Sequence, residues 1–442
     1  MMSTRVFLPF FLLFYYFSVQ AQGLYFPPKT GNEWESIDPA ELGFCAERID
    51  SLYTFLDQHY TKSFILLKDG KIVLEKYFGN YTQESIWYWA SAGKSLTAFL
   101  VGQAAEEGLV DIHAPTSTYL GTGWTMAPPD KEVMITPWHQ LTMTSGLDDT
   151  FIPTPDQPDP NTCTDPECLN YLADAGTRWA YHTGAYRLLQ DVIAAASGMT
   201  INQFTKTHML DRTGMTGLWI SDVMYGRARD MARYGLLTLA GGIWDGDTLL
   251  HDQQYFYDMT HRSQELNKSY GYLWWLNGQE SFMVPALQIV FPGKLIPNAP
   301  DDMIAALGKN DQKIHVVPSK GWVVVRQGDA SGGVGGAVPI GFDNEIWAYL
   351  NQLDCGATAA TEPDGLQLSI SPNPAASGWW LHSDVPLTRV EMYDLRGNRV
   401  FVSQGAVSSP YRVEGTSLPA GVYYLKAISG VRFSVRKVVK AN

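Results

Sequence analysis

With 442 residues, 45% of them hydrophobic, the chain is long enough for a large core and for more than one folded unit. A net charge of −13 argues against nucleic acid as a partner. The charge is also uneven. Residues 366–442 carry nine Lys/Arg against four Asp/Glu, about +5, which leaves about −18 on the rest and points to two modules.

Residues 1–21 read as a secretory signal peptide. Arg5 supplies a short positive region, Val6 to Val19 is almost wholly apolar, and Val19-Gln20-Ala21 offers a small-residue cleavage site before Gln22. The apolar run is short for a membrane span, and no later segment is long and apolar enough, so no transmembrane segment is expected in the mature chain. Four cysteines in an exported chain suggest disulfides. Cys163 and Cys168 share one loop and can close a short ring, leaving Cys45 to Cys355. A zinc site is the competing reading, which neither the spacing nor nearby histidines support.

After a lead-in over 22–36, Pro39 to Gln58 predicts an amphipathic helix with Ala46, Ile49, Tyr53 and Leu56 on one face. Strands are expected at Ser63–Leu67 and Ile72–Tyr77, with Asp69-Gly70 as the hairpin turn between them. The centre, from Ser91 to about Gln264, reads as largely helical with long loops. Strand character returns at Met303–Leu307, Ile314–Val317 and Trp322–Val325, followed by a glycine-rich turn at 332–336 and a closing helix at Phe342–Leu353. The two sheet pieces must pair, leaving the helical middle as an insertion at one edge. Residues 356–365 form a small, polar linker. From 366 to 442 only short β-type runs follow (Leu366–Ile370, Arg389–Tyr393, Gly421–Lys426, Arg432–Val439), which predicts a small β-sandwich.

The chemistry centres on Trp89-Ala90-Ser91-Ala92-Gly93-Lys94-Ser95. Ser91 and Lys94 are three apart at a helix start, so both point from one face. A serine hydroxyl needs an adjacent base, and a lysine serves if burial keeps it neutral. The first helical turn adds free N–H groups and partial positive charge that suit a developing oxyanion. Downstream stand Thr136-Pro137-Trp138-His139-Gln140-Leu141-Thr142-Met143-Thr144-Ser145-Gly146-Leu147 and Gly176-Thr177-Arg178-Trp179-Ala180-Tyr181-His182-Thr183-Gly184-Ala185-Tyr186.

In this order the three stretches resemble the serine β-lactamase, penicillin-binding and esterase family. The likeness is to the branch of class C β-lactamases, D-alanyl-D-alanine carboxypeptidases, family VIII esterases and 6-aminohexanoate-dimer hydrolases. The resemblance implies an α/β (α+β) β-lactamase-like domain at 37–355, an antiparallel sheet flanked by helices. It implies Ser91 as acylated nucleophile, Lys94 as its base partner, and Tyr181 as the tyrosine of the family's Tyr-x-Asn element. A phenol near a lysine ammonium is expected to be stabilised as phenolate. Thr183 stands where that element has asparagine, a departure that bears on β-lactam amide recognition. The family's Lys/His-Thr/Ser-Gly strand is missing. Its place falls to Ala306-Leu307-Gly308, where an N–H near Gly308 would complete the oxyanion hole; Lys309 is either a solvated loop lysine or a holder of a substrate carboxylate. Final and first helices pack together in this fold, so Cys45 and Cys355 are expected to meet. No metal or organic cofactor is implied.

Other features read as structural. Tyr270-Gly271-Tyr272-Leu273-Trp274-Trp275 is core packing, and neither His139 nor His182 belongs to a Ser-His-Asp pattern. The loop from Leu147 to Cys168 carries Asp148, Asp149, Asp156, Asp159, Asp165 and Glu167; if it overhangs the cleft, it favours substrates with a free amine.

The tail resembles a type IX secretion sorting domain through Ile370-Ser371-Pro372-Asn373-Pro374, Val390–Gly397, Leu418–Leu425 and the basic end Arg436–Lys440. That implies the type IX machinery as partner, and passage through the periplasm of a Gram-negative bacterium to the surface or medium. The expected function is therefore an exported serine hydrolase acting on a small-molecule ester or amide. The alternative is a catalytically silent relative that binds cell-wall peptide or sugar.

Overall fold

Asp69 and Gly70 both adopt left-handed backbone, φ 49° and 86°, the two-residue turn geometry that matches the twist of a hairpin. They join β1 (Thr61–Lys68) to β2 (Lys71–Tyr77). The computed structural model describes residues 23–150, 162–332, 340–355, 366, 368–394, 398–430 and 432–441. The expected leader 1–21, Asp156, Asp159, most of the turn 332–336, the linker 356–365 and Leu395-Arg396-Gly397 lie outside the described residues.

The hairpin is completed from the far end of the domain. Four later strands are β3 (Trp275–Leu276), β4 (Ile304–Gly308), β5 (Gln312–Val317) and β6 (Trp322–Gly328). The sheet runs β2-β1-β6-β5-β4-β3, every neighbour antiparallel, with Ile65 opposite Val325 where the two chain ends pair. β5 and β6 are buried residue after residue because helices cover both faces. On one face lies α4 (Ala228–Leu239). Its Gly235 packs so close to Val323 and Ile314 that a β-carbon would collide with them. On the other face α1 (Ala46–Gln58) meets α5 (Ile340–Leu350) through Phe55, stacked on Tyr349 at 4.4 Å between centroids.

The helix expected over 39–58 is broken. A 3-10 turn at Pro39–Leu42 ends at Gly43, φ 77°, and α1 begins afresh at Ala46. Gly43 reverses the chain, which sets Cys45 against the strand-like end of the domain: its N–H donates to the Leu353 carbonyl at 2.9 Å. Cys45 and Cys355 are disulfide-bonded, with Cα atoms 5.6 Å apart.

The helical middle contains α2 (Gly93–Glu106) and α3 (Thr183–Ser197). α2 is buried around nearly its whole circumference, the mark of a helix through a core rather than over it. In the tail, Leu368–Ser371, Gly378–Ser383 and Tyr411–Glu414 form one sheet. Arg399–Val402, Arg389–Tyr393, Gly421–Ser429 and Arg432–Lys440 form another. Trp379, Leu381, Met392, Val413 and Leu425 fill their shared core. Three of the seven strands (Gly378–Ser383, Arg399–Val402, Tyr411–Glu414) were not expected. Each is short, and its pattern becomes legible only opposite its partner.

Candidate active site

Ser91 sits in a 3-10 turn, Ala90–Ala92, that runs straight into α2. Ala90 has φ 48°, a left-handed conformation that costs an alanine on the order of 1–2 kcal/mol. The surroundings impose it. Trp89 is fully buried, its backbone N–H donates to the Met224 carbonyl at 2.8 Å, and its own carbonyl accepts from the Ala92 backbone N–H at 3.1 Å.

One turn on, the Lys94 amine lies 2.7 Å from the Ser91 hydroxyl oxygen. Lys94 is 1% exposed, and among the described residues no carboxylate pairs with it. Its nitrogen faces two aromatic rings, Tyr186 at 4.1 Å and Tyr181 at 4.9 Å from the centroids. Burial, helped by the nearby Arg187 charge, holds its pKa well below the ordinary lysine value. A lowered pKa favours the neutral amine, the form that can accept the Ser91 proton.

Tyr181 is delivered by the segment before α3. Ala180 donates to the Met143 carbonyl at 2.8 Å, and the His182 ring caps α3 by accepting from Ala185 at 3.1 Å. The Tyr181 ring stacks on Trp275 (5.7 Å, 21°) and meets Tyr270 edge-on at 6.2 Å. Burial raises the phenol above its ordinary value, and a hydrogen bond with Ser91 opposes the rise. Both directions run against the phenolate that the resemblance implies: burial lowers the Lys94 pKa and raises that of Tyr181, which favours the amine and the phenol.

Gly308 ends β4 against the nucleophile's own turn. A β-carbon there would lie 2.5 Å from the Trp89 carbonyl oxygen and 3.1 Å from the Ala92 nitrogen, so only glycine permits the approach. Ser91, Lys94, Tyr181 and Gly308 thus come together from distant stretches. Thr183 opens α3, half-buried, two residues beyond Tyr181. Lys309 is exposed in the turn after Gly308.

The acidic-loop expectation changes at Asp149. It is 4% exposed at the side chain and bonds Arg178 at 2.5 Å, so its charge is turned inward and met there. Asp148 accepts from the Thr150 N–H at 2.8 Å. Cys163 and Cys168 are bonded, Cα atoms 5.9 Å apart, and the Arg187 guanidinium donates to the Thr162 carbonyl at 2.8 Å, fastening this ring to α3. His139 completes a capping box with Thr136, and burial lowers its pKa to about 4, so it is a neutral structural residue.

Tyr186 and Arg187 were not foreseen as neighbours of Lys94, because only the fold brings α3 onto α2. The Tyr270–Trp275 stretch is core, as expected, but Tyr270 and Trp275 also wall the Tyr181 ring.

Residues 57–282 match the Beta-lactamase family model, and residues 369–441 match the Secretion system C-terminal sorting domain. A Bacillus subtilis (strain 168) protein assigned as the penicillin-binding protein PbpX is 30% identical over 164 residues, 34% of this chain and 39% of that protein. The chain thus spans well under half the length of that curated relative. Among solved structures, a protein from Bacillus anthracis assigned as a 6-aminohexanoate-dimer hydrolase superposes with a TM-score of 0.56 at 18% identity, over 74% of this chain and 90% of that one. The octameric penicillin-binding protein homologue from Pyrococcus abyssi gives 0.53 at 16%, over 90% and 96%.

Proposed function

Since the chain belongs to the β-lactamase family, the fold being that of its serine hydrolases, we propose that it is an exported hydrolase that cleaves an ester or amide through an acyl-enzyme on Ser91. The observation that carries this reading is the 2.7 Å contact between Ser91 and a buried lysine that no carboxylate meets among the described residues. Lys94 takes the Ser91 proton as the oxygen attacks the carbonyl carbon. The resulting ammonium lies against two ring faces, which attract a cation once it forms. Tyr181 gives a proton to the leaving group, and water then releases the acid by the reverse route. N–H groups of the helix start and of β4 near Gly308 receive the oxyanion.

Within this reading the substrate is an ester or small amide rather than a β-lactam, because Thr183 and Ala306-Leu307-Gly308 replace the groups that hold a lactam amide. The sorting domain at 369–441 supports export, and the leader at 1–21 fits the same route. The test is labelling of the full chain by a fluorophosphonate probe. Labelling lost in Ser91→Ala supports the reading. A wild-type protein that no fluorophosphonate, penicillin or activated ester acylates overturns it in favour of a silent binder of cell-wall peptide or sugar.

A further inference from the structure

The turn that joins β4 to β5 is tied to the segment that leads into the nucleophile's turn. Asn310 and Asp311 are both left-handed, φ 59° and 63°, two successive residues in a region that side chains avoid. They are held from behind by buried groups. The Arg326 guanidinium, fully buried, donates to the Asn310 carbonyl at 2.9 Å and the Asp311 carbonyl at 3.1 Å. Its remaining donors reach the His59 and Asp329 carbonyls and the Thr61 hydroxyl, which anchors it in β1 and the end of β6. The Gln312 amide adds a second bond to the Asn310 carbonyl at 2.8 Å. From this anchored backbone the Asn310 side chain reaches toward the segment before Ser91. Its amide donates to the Tyr88 hydroxyl at 2.7 Å, three residues before Ser91.

We propose that the Asn310–Tyr88 hydrogen bond is a strut that sets the gap between the end of β4 and Ser91, making both residues positioning residues for acylation. The inference rests on the acyl-enzyme reading above. Gly308 already touches the turn of Ser91 at one end of this gap. The strut closes the other end, so the β4 edge and the nucleophile's turn are joined at two points and cannot slide. A change of about 1 Å in such a gap is enough to spoil an oxyanion hole while leaving the substrate's remaining contacts alone.

The test uses the full chain in three variants: Asn310→Gly, which keeps the left-handed backbone without strain, Tyr88→Phe, and the two together. The readout is the rate of Ser91 labelling by a fluorophosphonate, with kcat and KM on an activated ester and the melting temperature. Each single variant is expected to lower the acylation rate about tenfold with KM within about twofold. Because both remove the same bond, the double variant is expected to be no slower than either single. Unchanged labelling, losses that multiply in the double variant, or a loss that appears only in KM would overturn the strut. Wild-type protein that is never labelled sinks the acyl-enzyme reading and the strut with it. Normal wild-type labelling with unaffected variants removes the strut alone.

Discussion

The domain buries two lysines and treats them in opposite ways. Lys94, on α2, has no carboxylate partner among the described residues and faces two aromatic rings. Lys313, on β5 across the sheet, is equally buried but sits 3.0 Å from Asp311 and 2.5 Å from Asp343. Asp343 also accepts from the His315 ring at 2.6 Å, and the Trp347 indole donates to the other ring nitrogen at 3.2 Å. An indole only donates, so that nitrogen accepts and the other ring nitrogen faces Asp343. Removed from water, an amine is pushed toward its neutral form unless carboxylates meet it. One lysine becomes a candidate base and the other is held between two carboxylates beneath the sheet.

The sharpest way to break this contrast is Lys94→Met. Acylation should fall by a factor on the order of 10⁴ or more, measured by single-turnover labelling. The same variant should melt higher, by about 1 kcal/mol or more, because an amine forced to give up its proton destabilises the folded state. The sign is specific. The folded pKa lies below the unfolded value of about 10.4, so the unfolded chain binds the extra proton between the two, and the gain from methionine should shrink as pH rises toward 10. If Lys94→Met melts lower at neutral pH, the uncharged reading fails.

Tyr181→Phe comes next. It removes a proton donor but keeps the stacked ring, and should cost about 10²–10⁴ in kcat with the fold intact by circular dichroism.

On the other side of the sheet, Asp343→Asn should lower stability by about 3–5 kcal/mol in a denaturant melt, because it leaves Lys313 short of a partner in the interior. Burial raises the Asp343 pKa, but Lys313 and His315 outweigh it and hold it below the ordinary value. Its contribution is therefore present above about pH 4 and lost as pH falls through the lower folded value, so wild type and variant should converge in acid.

The smallest effect is in the pH profile. As pH falls through the lowered Lys94 value the amine protonates, and kcat/KM should drop about tenfold per unit. Toward alkali the rate should stay flat past the ordinary tyrosine range of about 10, because Tyr181 keeps its proton. A falling alkaline limb below pH 9 would contradict a neutral phenol.

Local rules fixed much of this in advance. The Asp69-Gly70 turn, Ser91 and Lys94 three apart at a helix start, and four of the tail's seven strands follow from short-range chemistry that a linear chain carries openly. Gly43 was as visible as any glycine, yet its break in the first helix was missed, since an amphipathic run of helix formers outweighs one residue until its backbone is seen to turn left-handed. Protonation was beyond the chain read alone. Whether Lys94 is amine or ammonium depends on which groups arrive from α3 and on how far α2 sinks into the core. The same reading gave no way to tell Lys313 from a surface lysine, or to see Arg326 clamping a turn. Charge in an interior is decided by the sum of its neighbours, and only tertiary structure chooses them.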